Sequence, residues 1–246
     1  MVEEPPLDSD IPERPCSVAY VQDDIYTHFD RKWADELCQT FPNRLGMTFA
    51  QFQWQLVKID KGESVVDQGL EALQMDTAEL LNPHIILIAR GPLVSWIAQM
   101  YLESFHLAGL VLVDPLPMDN LQVSGSALAA VIQESTGVYN DHATACTDQY
   151  TRLLEKYRQG GGRSLRLEPG AVPTLVVQSI HHPLFADGAQ QTADRHRFLS
   201  DQEADEAEER FVGGDVPIIQ LFDDEKLDLQ AVAKDEIGAW IERRVL

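Results

Sequence analysis

Paired imidazoles at His181 and His182, the carboxylate of Asp114, and the helix-spaced couple His142 and Cys146 are the groups of this chain best suited by type to chemistry. Each admits a specific role. Adjacent histidines at a strand end can bind a metal or move protons. No carboxylates at ligand spacing accompany them, so neither a metal site nor a cofactor is expected. Asp114 closes an apolar run, where a carboxylate can act as a catalytic acid or, with Pro115, simply open a turn. His142 and Cys146, four apart on one helical face, have the spacing of a base and a nucleophile, which helix neighbours also acquire by chance. Ser95 falls one turn inside a helix, where its hydroxyl is expected to bond its own backbone. Trp33, Trp54, Trp96 and Trp240 fit packing better than a cofactor box.

The most informative stretch, "PHIILIARGPLVSW", is a junction without reactive atoms at its tip. An apolar strand, His84 to Ala89, meets an amphipathic helix, Val94 to Phe105, through a tight corner at Gly91 and Pro92. Other elements alternate around it. Strands are expected at Ser17 to Gln22, Phe52 to Asp60, Ala108 to Pro115, Val172 to Ile180 and Val216 to Phe222. Helices are expected at Phe29 to Phe41, Val65 to Leu81 and Leu227 to Leu246, with Pro42 and Pro83 closing the first two. This alternation predicts an α/β fold, a mainly parallel sheet with helices on both faces. Residues 116–171 interrupt it with two helical patterns, about Val123 to Ser135 and Asp141 to Gln159. They read as a helical insertion over one end of the sheet. The glycines at 160–162 follow a helix and precede no Lys-Ser or Lys-Thr, so they make a turn and not a phosphate loop.

The chain has 246 residues and a formal net charge of −21, which disfavours phosphate backbones and anionic lipid as partners and favours basic ones. No apolar run has membrane-spanning length. The three cysteines, Cys16, Cys38 and Cys146, form neither a disulfide framework nor a CxxC pair, which suits a reducing compartment. The cytoplasm fits, as does an organelle interior after removal of a presequence. Residues 1–15 are acidic and proline-rich and read as a flexible arm ahead of a single domain over 16–246. Ser200 to Arg210 reads as a solvated helix face.

The order strand, corner, helix, then "LVLVDP", an inserted helical segment and "VPTLVV" resembles the α/β-hydrolase superfamily over about Ser17 to Leu246. The resemblance implies that fold, with residues 116–171 as the lid. It also implies where a catalytic triad would stand. Gly91 takes the nucleophile's place and has no side chain to attack a carbonyl. Pro92 follows, where a backbone N–H would help stabilise an oxyanion, and proline has none. Leu93 replaces a small residue. His182 falls where the acid follows its strand, and Asp224, in "LFDDEKLD", falls where the base histidine would be; no histidine occurs after His196. No His-Gly pair stands near Asp23 to complete an oxyanion hole. The resemblance therefore implies a catalytically inactive, hydrolase-like protein that binds other proteins, as an accessory or scaffold subunit. The alternative is a hydrolase or small-molecule binder using a pocket under the lid. Its polar groups would come from Asp23, Asp114, His181 and His182 beside Gly91.

Overall fold

The computed structural model describes residues 1–6, 10–23, 32–52, 65–80, 83–116, 130, 172–196, 216–221 and 229–246. The elements are β1 (Val2–Glu3), β2 (Ser17–Gln22), α1 (Lys32–Thr40) with a π-helical turn (Phe41–Leu45), β3 (Thr48–Phe52) and α2 (Val65–Ala78). They continue with β4 (Ile85–Arg90), α3 (Pro92–Leu102), β5 (Gly109–Val113), β6 (Thr174–Gln178), α4 (Pro183–His196), β7 (Ile218–Gln220) and α5 (Leu229–Arg244). The sheet order is β1-β3-β2-β4-β5-β6-β7. Only the β1–β3 pairing is antiparallel; the others are parallel. β4 is central, as the apolar run ending at the corner predicts.

The central strands are continuously apolar because both their faces are covered. Side chains alternate between two cores. Ala19, Val21, Leu87, Ala89, Leu110 and Leu112 face α2, α3 and Phe185 of α4. Val18, Tyr20, Ile86, Ile88, Val111 and Val113 face α1, the π-helical turn and α5. Burying one such Val, Leu or Ile side chain stabilises the fold by roughly 1.5–3 kcal/mol. Trp33, Trp96 and Trp240 are buried in these cores, as expected; Trp54 lies outside the described residues.

Two elements are additional to those expected, and two local expectations are corrected. β3 at Thr48–Phe52 is not among the expected strands and meets the expected Phe52 to Asp60 only at Phe52. Residues 53–60 lie outside the described part; at and just before β3 the buried apolar side chains are Met47, Phe49 and Ala50. The opening residues do not all form a free arm, because Val2 and Glu3 pair with Ala50 and Phe49 at the sheet edge. α4 has no counterpart among the expected helices. Its buried face is Phe185, Gly188, Ala189, Thr192, Ala193 and His196, mostly small residues that leave little hydrophobic periodicity. Finally, the Ser95 hydroxyl bonds the carbonyl of Ala89 on β4, 3.3 Å away, and not its own helix.

His196 makes α4 pH-sensitive. Its ring is buried between Thr174 Oγ1, 3.4 Å from Nδ1, and Gln99 Oε1, 3.3 Å from Nε2. The Gln99 amide nitrogen donates to the Ser95 carbonyl, 3.1 Å, which fixes the oxygen toward the imidazole. Burial, then the neighbouring Arg195 charge, depresses the His196 pKa to about 4. The native state therefore binds fewer protons than the unfolded chain between pH 6.5 and about 4, and stability falls as pH falls through that window. The loss expected from this group is roughly 3 kcal/mol. Urea melts at pH 7 and pH 4.5 are expected to show it, and His196→Gln to flatten that part of the pH dependence.

Candidate functional site

Four neighbouring parallel strands end at the same edge of the sheet. Asp23 follows β2, Gly91 follows β4, Asp114 follows β5 and Ser179 follows β6. Backbone bonds lock these ends together: Asp23 N–H donates to the Arg90 carbonyl (2.9 Å), Gly91 N–H to that of Val113 (2.8 Å) and Asp114 N–H to that of Val177 (2.8 Å). In open parallel sheets this carboxyl edge is where ligands and reacting groups gather.

The corner itself is built around Gly91. Its φ of 114° and ψ of 164° belong to a region that side chains exclude, and α3 starts on Pro92 immediately after it. Pro92 has no N–H, so the first free donors of α3 are the amides of Leu93 and Val94. Both point at one carboxylate: Leu93 N–H donates to Asp23 Oδ2 at 2.9 Å and Val94 N–H to Oδ1 at 3.1 Å. Asp23 is thus the buried N-terminal cap of a helix 70 residues away in sequence. Its negative charge sits at the positive end of the helix dipole, where an oxyanion would otherwise be held. The carboxylate also lies over Gly91, and a Cβ at that position would come within 2.4 Å of Oδ2. Asp23→Ala is expected to cost about 1–2 kcal/mol by loss of the cap. It should also open the α3 N-terminus, which chemical denaturation and loss of amide protection at Leu93 and Val94 would register.

Asp114 performs a related task one strand further on. It is fully buried, with φ 53°. Oδ1 accepts from Ser179 N–H (2.6 Å) and Ile180 N–H (3.1 Å), and Oδ2 accepts from the Ser179 hydroxyl (2.5 Å). Burial raises its pKa; the Ser179 and Ile180 hydrogen bonds and the Arg90 charge pull the other way without prevailing. The Arg90 guanidinium, buried at the end of β4, stacks 4.3 Å from the centre of the Trp33 ring. His182 caps α4: its Nδ1 accepts the Leu184 N–H (3.1 Å) and its carbonyl accepts those of Phe185 and Ala186. Nδ1 is then an acceptor, which leaves the ring proton on Nε2. His181 is exposed.

Of the residues singled out from sequence, Asp23 and Gly91 are in contact, while Asp114 and His182 flank the turn after β6. Ser179 and Arg90, which complete this edge, are not among them. No local pattern marks a serine that matters only because a buried aspartate accepts its proton. Asp224, His142, Cys146 and all of the lid segment except Leu116 and Ala130 lie outside the described residues. Among the described residues, no group of three His, Cys, Asp or Glu side chains is arranged to hold a metal ion, and no helix is long and apolar enough to cross a membrane.

No protein-family model matches the chain, and no curated protein sequence does. Solved structures do. A bacterial heroin esterase is similar at 14% identity with a TM-score of 0.60, over 98% of this chain and 78% of the esterase. A thermostable esterase from Pseudomonas putida is similar at 11% identity and 0.59, over 98% of this chain and 77% of its own. EstE7, a homologue of HSL from a metagenome library, is similar at 14% and 0.57, over 96% and 80% respectively. At such identities the likeness carries architecture and not activity. The parallel sheet with helices on both faces, turning sharply after its central strand into α3, is the α/β-hydrolase fold.

Proposed function

We propose that this chain is a catalytically silent protein of the α/β-hydrolase fold that works by binding other proteins, as an accessory or scaffold subunit. The observation that carries the reading is the Asp23 carboxylate on the N-terminus of α3. It occupies the two backbone donors that remain once Pro92 has removed the first, and it covers the glycine that stands where a nucleophile would. A hydrolase needs the opposite arrangement, an open donor pair beside a reactive side chain. The other polar groups at this edge are engaged as well. Asp114 accepts three hydrogen bonds from Ser179 and Ile180, and His182 Nδ1 caps α4. Leu93 is buried rather than turned toward a polar cleft, which also favours a filled corner over a ligand pocket.

Two measurements test this. The purified native chain is expected to turn over no short-chain ester and to take no label from a serine-directed phosphonate. In native extract it is expected to migrate as part of an assembly larger than itself. Labelling of any serine in the native chain would overturn the reading in favour of a hydrolase with a different set of polar groups. A strictly monomeric chain with no recovered partner would remove the scaffold role.

A further inference from the structure

We propose that the groove between β1 and α1 is the docking site for a basic segment of a partner protein, an inference that rests on the protein-binding reading and gives it a location. The groove encloses about 470 Å³ and shares no residue with the strand-end corner. Its walls carry the carboxylates of Glu3, Glu4 and Asp35, and its apolar surface comes from Pro6, Pro42 and the half-buried Cys38.

Charge matching separates these carboxylates from their neighbours. On the adjoining helices, Glu36 pairs with Lys234 at 3.1 Å and Asp235 with Arg44 at 2.8 Å. Glu3, Glu4 and Asp35 are exposed and have no ion-pair partner among the described residues. The Met1 ammonium, also at the groove, donates to the Gln51 carbonyl at 3.1 Å. The excess of negative charge reaches the groove wall. The Cys38 thiol is pushed up by burial first and then by Glu3 and Asp35, with the Met1 ammonium opposing.

Carboxylates beside apolar side chains suit a lysine or arginine, whose hydrocarbon stem packs while its charged end meets the carboxylates. A segment carrying several of them satisfies both features at once. A net charge of −21 over the whole chain speeds encounter with such a partner but gives no address. The unmatched groove supplies one.

The test uses the full chain and a blocked, fluorescent decapeptide of alternating lysine and valine, with a glutamate–valine peptide as control. Binding is followed by anisotropy at low salt, and alkylation of Cys38 by mass spectrometry. The triple variant Glu3→Gln, Glu4→Gln, Asp35→Asn is compared with Glu71→Gln, Glu79→Gln, Asp187→Asn, which removes the same charge from exposed sites elsewhere. Exposed carboxylates are not needed for folding, and circular dichroism checks that both variants fold. The groove variant is expected to weaken the lysine peptide about tenfold and the distant variant to leave it nearly unchanged. Bound peptide is expected to slow Cys38 alkylation in the native chain.

Equal losses in both variants, no peptide binding, or unprotected Cys38 would overturn the proposal. Spermidine competing as well as the peptide would overturn its peptide half. The underlying reading fails separately: a native chain without any partner in its extract sinks that reading even if the peptide binds. A partner retained by the groove variant sinks only the groove.

Discussion

Gly91→Ser yields a less stable protein and no esterase. Two stability effects add at this position. The backbone has φ 114°, which strains any residue with a Cβ, and that Cβ would come within 2.4 Å of the Asp23 carboxylate and 2.8 Å of the Asp23 Cβ and Cγ. Strain of this kind costs about 1–3 kcal/mol, and overpacking a buried site about as much again, so a loss of roughly 2–6 kcal/mol is expected. Chemical denaturation measures it directly. No activity is expected in return, because the new hydroxyl has Asp23 beside it and the Leu93 and Val94 amides are already engaged. An anionic neighbour also opposes the negative charge that develops on an oxyanion.

A double-mutant cycle separates the causes. Asp23→Ala removes the carboxylate and leaves only the Cβ of residue 23 close by, so combining it with Gly91→Ser is expected to cost at least 1 kcal/mol less than the sum of the single changes, within the range of about 0.5–3 kcal/mol seen for contacting residues. The strain from φ remains. Ester turnover by Gly91→Ser alone would show that the corner rearranges to admit a base, and would favour the hydrolase reading.

Asp114→Ala is expected to have an effect of similar size without touching the corner. The Ser179 N–H, the Ser179 hydroxyl and the Ile180 N–H all donate to this carboxylate. Deleting the acceptor strands donors in and near the core, each worth about 1–3 kcal/mol when unsatisfied. Partial access of water to the half-buried Ser179 lowers the total to roughly 3–5 kcal/mol. Asp114→Asn keeps one carbonyl oxygen and should recover part of it.

The pH dependence has the opposite sign to that of His196. A carboxyl raised in the native state holds its proton more readily there than in the unfolded chain. Its contribution is therefore fully present at low pH and declines as pH rises through the folded pKa. The acid limb of the stability curve is expected to steepen in Asp114→Asn, where this opposing contribution is absent. A limb no steeper than that of the native chain would mean that Asp114 is ionised throughout.

The sheet can be read from sequence where burial on both faces makes strands uniformly apolar. "HIILIA" and "LVLV" are β4 and β5 for that reason, within a residue or two. "TFAQF" escapes such a reading because β3 mixes polar Thr48 and Gln51 with its buried positions, whereas "FQWQLVKID" nearby presents a stronger alternation of apolar residues. α4 escapes it because its packing is close rather than greasy. Gly188 lies so near the chain after β5 that a Cβ there would come within 2.1 Å of the Pro115 carbonyl, and a helix that packs through Gly, Ala and Thr shows little periodicity.

The site divides in the same way. Gly91 and Pro92 announce themselves, since glycine then proline directly after an apolar strand marks a sharp turn with a helix starting on the proline. By spacing Asp23 is visible only as part of a turn, and the fold resemblance alone sets it beside Gly91. Its function depends on α3 some 70 residues later, and no spacing rule joins two residues whose contact is made by the sheet.

The bond between Asp114 and Ser179 also has a bearing on the chain as it is being made. Its partners are 65 residues apart, with residues 116–171 between them, and β5 pairs on one side with β4 and on the other with β6. At about 5–20 residues per second, roughly 3–13 seconds separate the emergence of the two partners from the ribosome. During that interval β2, β3, β4 and β5 can already be paired, with β5 as an open edge and the carboxylate of Asp114 lacking its donors. An open apolar edge is a template for another chain. The nascent protein is therefore expected to be prone to aggregation after β5 has emerged from the ribosome and before β6 has, and a chaperone that covers β5 would act in that interval.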